Sequence, residues 1–547
     1  TGRSAWVNSW RRARESMAGQ DQDQEQDQEQ AALTPRQIIT AMSGLIIAML
    51  LAQLDNMIVA PALPTIAGDL GGANHLSWVV TGYILASAVA TPIWGKLGDL
   101  FGHKYTFMTS IVLFLIGSAL CGISQDMTQL VLFRAFQGLG AGGLLVGIMS
   151  VLGMLVPPRE RGKYMGVMMA VMPVSMIGGP LVGGWITDNA SWRWNFYVNL
   201  PLGALALLVI WSTLHLTTEA RRTEKVVIDW WGISVLTTWI VALVLAITWG
   251  GTEYPWGSWQ VVSLFVVAAV GMVAFLLIER KAVEPVIGLH LFSSKNFVLA
   301  SAMGFVAGFG MFGTITFLPQ FQQFVQGKSA TNSGLLLMPL MLALMTTSLG
   351  GGQIISRTGR YKVFPIVGTA LLGFGLYLFS TMHVDTGTGR SALFMVVMGL
   401  GLGCLMQTTN LIAQNSVALK DLGAGTGTFT FVRTLGGSIG VAILGTIYTH
   451  QVSSSLAHSG VSTANVGGDG GGVTSLTPAA LKQAPAEFIE AFRHAVIAGT
   501  HQIFLVAAVI TIVAFAVSWF IKEVPLRGSV PPAQAAAAAE AQLHELA

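Results

Sequence analysis

Fourteen apolar runs recur along this chain from one end to the other, each about 20 residues long and so able to cross a hydrocarbon core of about 30 Å as a helix. They lie within 41–63, 77–95, 105–124, 130–155, 163–187, 196–216, 228–249, 259–279, 297–318, 332–355, 362–382, 391–413, 424–448 and 500–521. Lipid offers the backbone no water to bond, so a spanning segment is either a helix or a strand of a closed barrel. Barrel strands alternate in hydropathy over about ten residues, whereas these runs are unbroken. The fold class is therefore all-α, a polytopic membrane protein. Only 10% of the residues are charged and 53% are hydrophobic, against about 25% charged in a soluble chain.

The placement of charge says more than its total. Lys and Arg collect in cytoplasmic loops. With the amino terminus inside, 22 of the 29 fall on the cytoplasmic side, while Arg193, Lys328, Arg390, Lys482 and Arg493 fall outside. Arg134 and Arg433 lie within spans. Both termini are thus expected in the cytoplasm of a plasma (inner) membrane protein, and the basic loops read as topology signals rather than nucleic-acid sites. The first apolar run begins only after about 40 polar residues, which argues against a cleavable leader. Cys121 and Cys404, the only cysteines, sit in separate spans, giving neither a disulfide frame nor a metal cluster. No cofactor or metal is expected.

An internal repeat sets the domain order, because two matching halves signal a pseudo-symmetric carrier. Gly138, Gly140, Gly142 and Gly162 align with Gly399, Gly401, Gly403 and Gly423 at a constant offset of 261. GKLGDLFGHKY from Gly95 likewise matches GQIISRTGRYK from Gly352. The expected organisation is a disordered segment over 1–37, a six-helix bundle over 38–216, two additional helices over 228–279, and a second six-helix bundle over 297–521. A cytoplasmic tail over 522–547 follows. An external loop, 449–499, carries VGGDGGG and an amphipathic stretch where Thr477 or Pro478 can begin a surface helix. It reads as a flexible external loop, or else as a gate or partner site.

Ionised side chains inside a membrane are costly, so each is a functional candidate. Asp55 is the one acid well inside a span, and the small residues Gly44, Ala48 and Ala52 lead to it as a close-packing face that turns it inward. Arg134, with Gln137, Gly138 and Ala141 on its helical face, is permanently charged and needs a partner. Asp55 is that candidate partner, in a proton-coupling pair or in a static ion pair. At the short turn, Gly95, Gly98 and Gly102 permit close helix approach or positive φ. Asp99 there can accept from the amides of a neighbouring helix start, so these residues and Lys104 form a candidate conformational lock; the bland alternative is a polar turn. Gly178, Gly179, Pro180, Gly183 and Gly184 mark a candidate bend with tight packing. Met57, Tyr83, Met149, Phe309, Phe312 and Gln407 are candidates to line a soft cavity or simply to pack, and Arg433 is open to either role.

Taken in order, LDNMIVAPALP, GKLGDLFGHK, RAFQGLGAG, GGPLVGG with SWRWNFYVN, WGGTEYPWGSW, LPQFQQFVQGKSATNSGLLLMP and FVRTLGGSIG resemble the motifs of the 14-helix drug:proton antiporter family of the major facilitator superfamily. The resemblance runs from Ile38 to Lys522. His103 stands where that family usually has Arg, and Ser175 where its antiporter motif often begins with Gly. The resemblance implies a major facilitator fold opening alternately to each side, with Asp55 and Arg134 in coupling, Asp99 in locking and Gly179-Pro180 in antiport. It implies export of a small amphipathic substrate, a drug or secondary metabolite, against protons, with membrane lipid as the surrounding partner. A lipid or siderophore exporter is the alternative, and a nontransporting sensor a further one. No nucleophile and base stand together at membrane depth, so no enzyme is expected. A monomer is the working expectation.

Overall fold

The computed structural model describes residues 35–59, 62–70, 76–156, 158–169, 171–214, 228–250, 254–328, 335–384, 386–459 and 485–526. Every expected apolar run carries a helix. In chain order they are α1 (Pro35–Val59), α2 (Leu76–Phe101), α3 (His103–Ile123), α4 (Met127–Leu155), and α5, in two pieces, Pro158–Met169 and Val171–Asn189. Then come α6 (Asn199–Thr213), α7 (Trp230–Trp249), α8 (Trp259–Glu279), α9 (Lys295–Phe324), α10 (Met338–Thr358), α11 (Val363–Phe379), α12 (Thr388–Asn415), α13 (Leu422–His458) and α14 (Ala486–Ser518). Twelve described helices are long and apolar enough to span a membrane, α6 being counted together with the turn of helix Trp194–Tyr197 that leads into it. The 17-residue α11 and α5, described on either side of residue 170, fill the other two places. Side-chain caps start several of them: Asp126 accepts from the Gln129 amide before α4, and Asp229 from the Gly232 amide before α7.

The sequence repeat is a repeat of contacts. A Cβ on Gly138 or Gly142 would strike the α2 carbonyls of Tyr83 or Ser87, and one on Gly140 the backbone of Phe114 in α3. In the second half, Gly399 and Gly403 meet Leu340 and Leu344 of α10 in the same way, and Gly401 meets Leu372 of α11. The paired turns match too. Gly102 has φ 91° before α3, and Gly359 has φ 70° before α11, backbone that only glycine adopts without strain. We refer to the end of the molecule carrying these two turns as the Gly102 face.

Helices α7 and α8 pair with each other, and Trp239 of α7 meets Gly271 of α8. The same indole stands edge-on to Phe431 of α13, 5.9 Å between centroids, within an apolar cluster that includes Val89 of α2. The additional pair therefore packs against the seam where α2 meets α13.

One boundary differs from expectation. Hydropathy ends the thirteenth span near 448 and begins the fourteenth near 500, but α13 continues to His458 and α14 starts at Ala486. The amphipathic AEFIEAFRHAV is the opening of α14 rather than a separate surface helix. Helix formation needs only paired backbone groups, and these persist in water beyond the apolar window. At 37 residues, α13 is about 55 Å long, well over the thickness of a hydrocarbon core. Thr477, Pro478 and VGGDGGG lie outside the described residues, as do 1–34 and 527–547.

Candidate functional site

Gly44 packs on Val209 and Ile210 of α6, leaving no free room for a Cβ, and the stripe continues through buried Ala48 and Ala52. Asp55 follows on α1 with 0% of its surface exposed, facing Arg134 of α4, which is 2% exposed. Arg134 Nη1 lies 2.7 Å from Asp55 Oδ2 and also donates to Gln137 Oε1 at 2.8 Å. Gln137 Nε2 donates to Asp55 Oδ1 at 2.9 Å. From α6, Asn199 Nδ2 donates to the same oxygen at 2.7 Å and contacts Ser118 Oγ of α3 at 2.9 Å. The Tyr83 ring lies beneath the guanidinium, 4.1 Å from Cζ to centroid. Four helices thus converge on one carboxylate, which accepts three donors. A buried pair with this many bonds offsets much of its desolvation, while removal of either partner strands the other.

Residues spacing alone did not single out complete the network. Asn199 is the last residue of SWRWNFYVN, so the motif contained it, but its partner lies 144 positions away. Ser118 has no sequence signal beyond being a small polar residue in a span.

The lock residues divide in two. Asp99 of α2 accepts the amides of Gly423 and Ala424, at 2.7 and 2.6 Å, at the opening turn of α13, where the helix dipole favours negative charge. His103 Nε2 lies 3.2 Å from Asp99 Oδ1, and Gly98 leaves room for that ring. Gly95 and Gly423 meet backbone to backbone. Lys104 stands apart: its Nζ donates to the Trp211 carbonyl of α6 at 3.0 Å, fastening α3 to its own half.

A second clamp between the halves appears at the same face. Arg161, among the charges counted for topology, is 2% exposed; its Nη1 donates to Gln414 Oε1 of α12 at 2.8 Å, and its Nη2 to the Gly153 carbonyl. Gln414 Nε2 donates on to the Met149 carbonyl at 3.3 Å. Nearby, Lys96 of α2 pairs at 2.6 Å with Glu284, in the connector between α8 and α9.

On α5, Gly179 and Gly183 meet Met57 and Ile58 of α1, so tight packing holds at those two positions. Gly178 and Gly184 have no atom within 4 Å of an added Cβ; there the expected tight packing is absent, because those positions face away from α1. Pro180 lies inside the helical piece Val171–Asn189 without ending it. The cavity candidates are scattered. Tyr83, Phe309 and Gln407 are buried, as is Met149 where the halves meet, while Met57 and Phe312 are 37% and 40% exposed. Arg433 is half-buried. Among the described residues no cluster of three His, Cys, Asp or Glu fits a metal.

Comparison with known proteins places this architecture. The profile of the Major Facilitator Superfamily matches residues 45–441. An uncharacterized MFS-type transporter of Mycobacterium tuberculosis is 39% identical over 90% of this chain and 71% of its own length. The multidrug transporter protein MdtP of Bacillus subtilis is 38% identical over 74% of each chain. Among solved structures, the human organic anion transporter MFSD10 superposes with a TM-score of 0.61 at 12% identity, covering 89% of this chain and 100% of that one, a likeness of fold.

Proposed function

Because the chain belongs to the major facilitator superfamily, whose members are membrane transporters and not enzymes, we propose that it is a proton-coupled antiporter exporting amphipathic drugs or secondary metabolites from the cell. The observation that carries this reading is the sealed carboxylate: Asp55, with no exposure, holds an arginine and two amides at membrane depth. A proton can reach such a group without dismantling the helices around it. Protonation cancels the charge that holds Arg134 and alters the register of α1 against α4 and α6. Release of that proton restores the pair.

The bias of basic residues supports a cytoplasmic Gly102 face and cytoplasmic termini. On that orientation, the Asp99 and Arg161 clamps close the cytoplasmic side, and the exposed Met57 and Phe312 belong to a cavity open outward. Names of multidrug transporters and efflux pumps among the relatives favour a polyspecific substrate. The cycle is alternating access: a proton taken up outside, opening of the clamps, substrate captured inside as the proton leaves.

Transport of a monocationic dye in proteoliposomes, with the pH gradient and the potential imposed separately, tests this. One carboxylate carries one proton, so expulsion of a monocation is electroneutral and follows the pH gradient at about 1.4 kcal/mol per pH unit. Efflux indifferent to that gradient overturns the coupling.

A further inference from the structure

Arg433 is the second arginine at membrane depth, and its surroundings invert those of Arg134. It lies eleven residues into the spanning helix α13, about 16 Å along its axis. Its Nη1 has Met406 Sδ of α12 at 4.0 Å, and the Phe429 ring lies 5.9 Å from its Cζ. No carboxylate pairs with it among the described residues. The residue is only half-buried, whereas Arg134 is sealed. One turn further along α13, Gly437 packs on the ring of Phe312, itself exposed. Gln407, next to Met406, keeps its Nε2 without an acceptor.

A guanidinium cannot discharge itself, and left without a counter-charge in low dielectric it is costly. Such an arrangement is stable when something else supplies the anion. The fork geometry suits a carboxylate, which accepts two parallel N–H bonds, and the walls of thioether and aromatic carbon suit an apolar body beside it.

We propose that Arg433 is the recognition point for the carboxylate of an acidic amphiphile, whose apolar part lies against Phe429, Met406 and Phe312. The proposal deepens the exporter reading and rests on it for the step after binding. It also changes the energetics. Moving an anion outward against one inward proton carries two positive charges inward, so the membrane potential drives this substrate, whereas it adds little to a monocation exchange.

The probe is dansyl-undecanoate beside its uncharged methyl ester, with binding followed in detergent by energy transfer from tryptophan and expulsion followed in proteoliposomes. The wild-type protein is expected to bind the acid about tenfold or more tightly than the ester, the range of a charge-assisted hydrogen bond. Arg433→Gln should bring that ratio close to one, and Arg433→Lys should keep part of it; monodispersity and melting temperature verify that the variants are folded. Equal wild-type affinity for acid and ester overturns the proposal, as does an acid preference that survives in Arg433→Gln. An Arg433-dependent preference without gradient-driven expulsion of either probe or of a monocationic dye supports the recognition site and sinks the exporter reading. Gradient-driven expulsion of the dye with no acid preference does the reverse.

Discussion

Helices α4 and α12 occupy equivalent places in the two halves and share a Gly-x-Gly-x-Gly frame with matching neighbours, yet their chemistry is opposite. At the offset of 261, Arg134 corresponds to Met395 and Gln137 to Met398, and both methionines are buried. Where Asp55 of α1 meets Gln137, Thr314 of α9 meets Met398, its hydroxyl 3.3 Å from Sδ. The glycines are architecture, needed wherever these helices cross closely. The ionised groups are an addition to one copy of it. Charge at membrane depth in the second half has moved to Arg433 on α13, without a carboxylate partner among the described residues.

The strongest break of this comparison is Asp55→Asn. It leaves Arg134 buried without its counter-charge, a loss of roughly 3–5 kcal/mol, and is expected to abolish pH-driven expulsion in proteoliposomes; wild-type rates would mean that the asymmetry of the halves has no part in coupling. Making the first half like the second sharpens the point. The double variant Asp55→Asn with Arg134→Met is expected to melt above either single variant, because replacing both members of a buried pair avoids the stranded charge, while remaining inactive. A double variant that melts lowest of the three would contradict the pairing.

The frame itself predicts symmetry. Gly142→Ala and Gly403→Ala each force a Cβ onto a carbonyl of a neighbouring helix, and each should lower stability by about 1–3 kcal/mol; melting temperatures that differ widely between them would show that the halves are not packed alike. The smallest effect concerns the turns. Asp99→Asn removes a charge from the start of α13, worth about 0.3–1 kcal/mol and up to 2 when partly buried, and should slow transport more than Ser356→Ala at the matching position. Equal dye-efflux rates for the two would reduce the doubled turn to a connector.

The fourteen spans, the two halves and the Asp55–Arg134 pair were legible because each is a local or periodic property: an apolar run, a fixed offset, an ionised residue where none is cheap. Asn199 and Arg161 were not. Their roles are set by partners 144 and 253 positions away, and nothing nearby separates Arg161, a buried bridge, from the basic residues that only mark topology. Lys104 shows the converse, since a place in the lock motif did not bring it to the contact between the halves. The far ends of α13 and α14 escaped because hydropathy marks where lipid stops, not where helix stops. Gly178 and Gly184 differ from Gly179 and Gly183 only in which side of α5 they occupy, and the neighbours of that side belong to the assembled bundle.

The complete burial of Asp55 bears on the membrane as an electrical object. A bilayer stores energy as a charged capacitor does, and any continuous wire of water through it drains that store whether or not useful work is done. A carboxylate sealed by three donors and four helices is a break in such a wire. On the proposed cycle, protons cross in discrete parcels, one for each swing of the halves, and a protein that is not swinging passes no current. Resting cost is then set by how tightly the gates shut, and throughput by how often they turn.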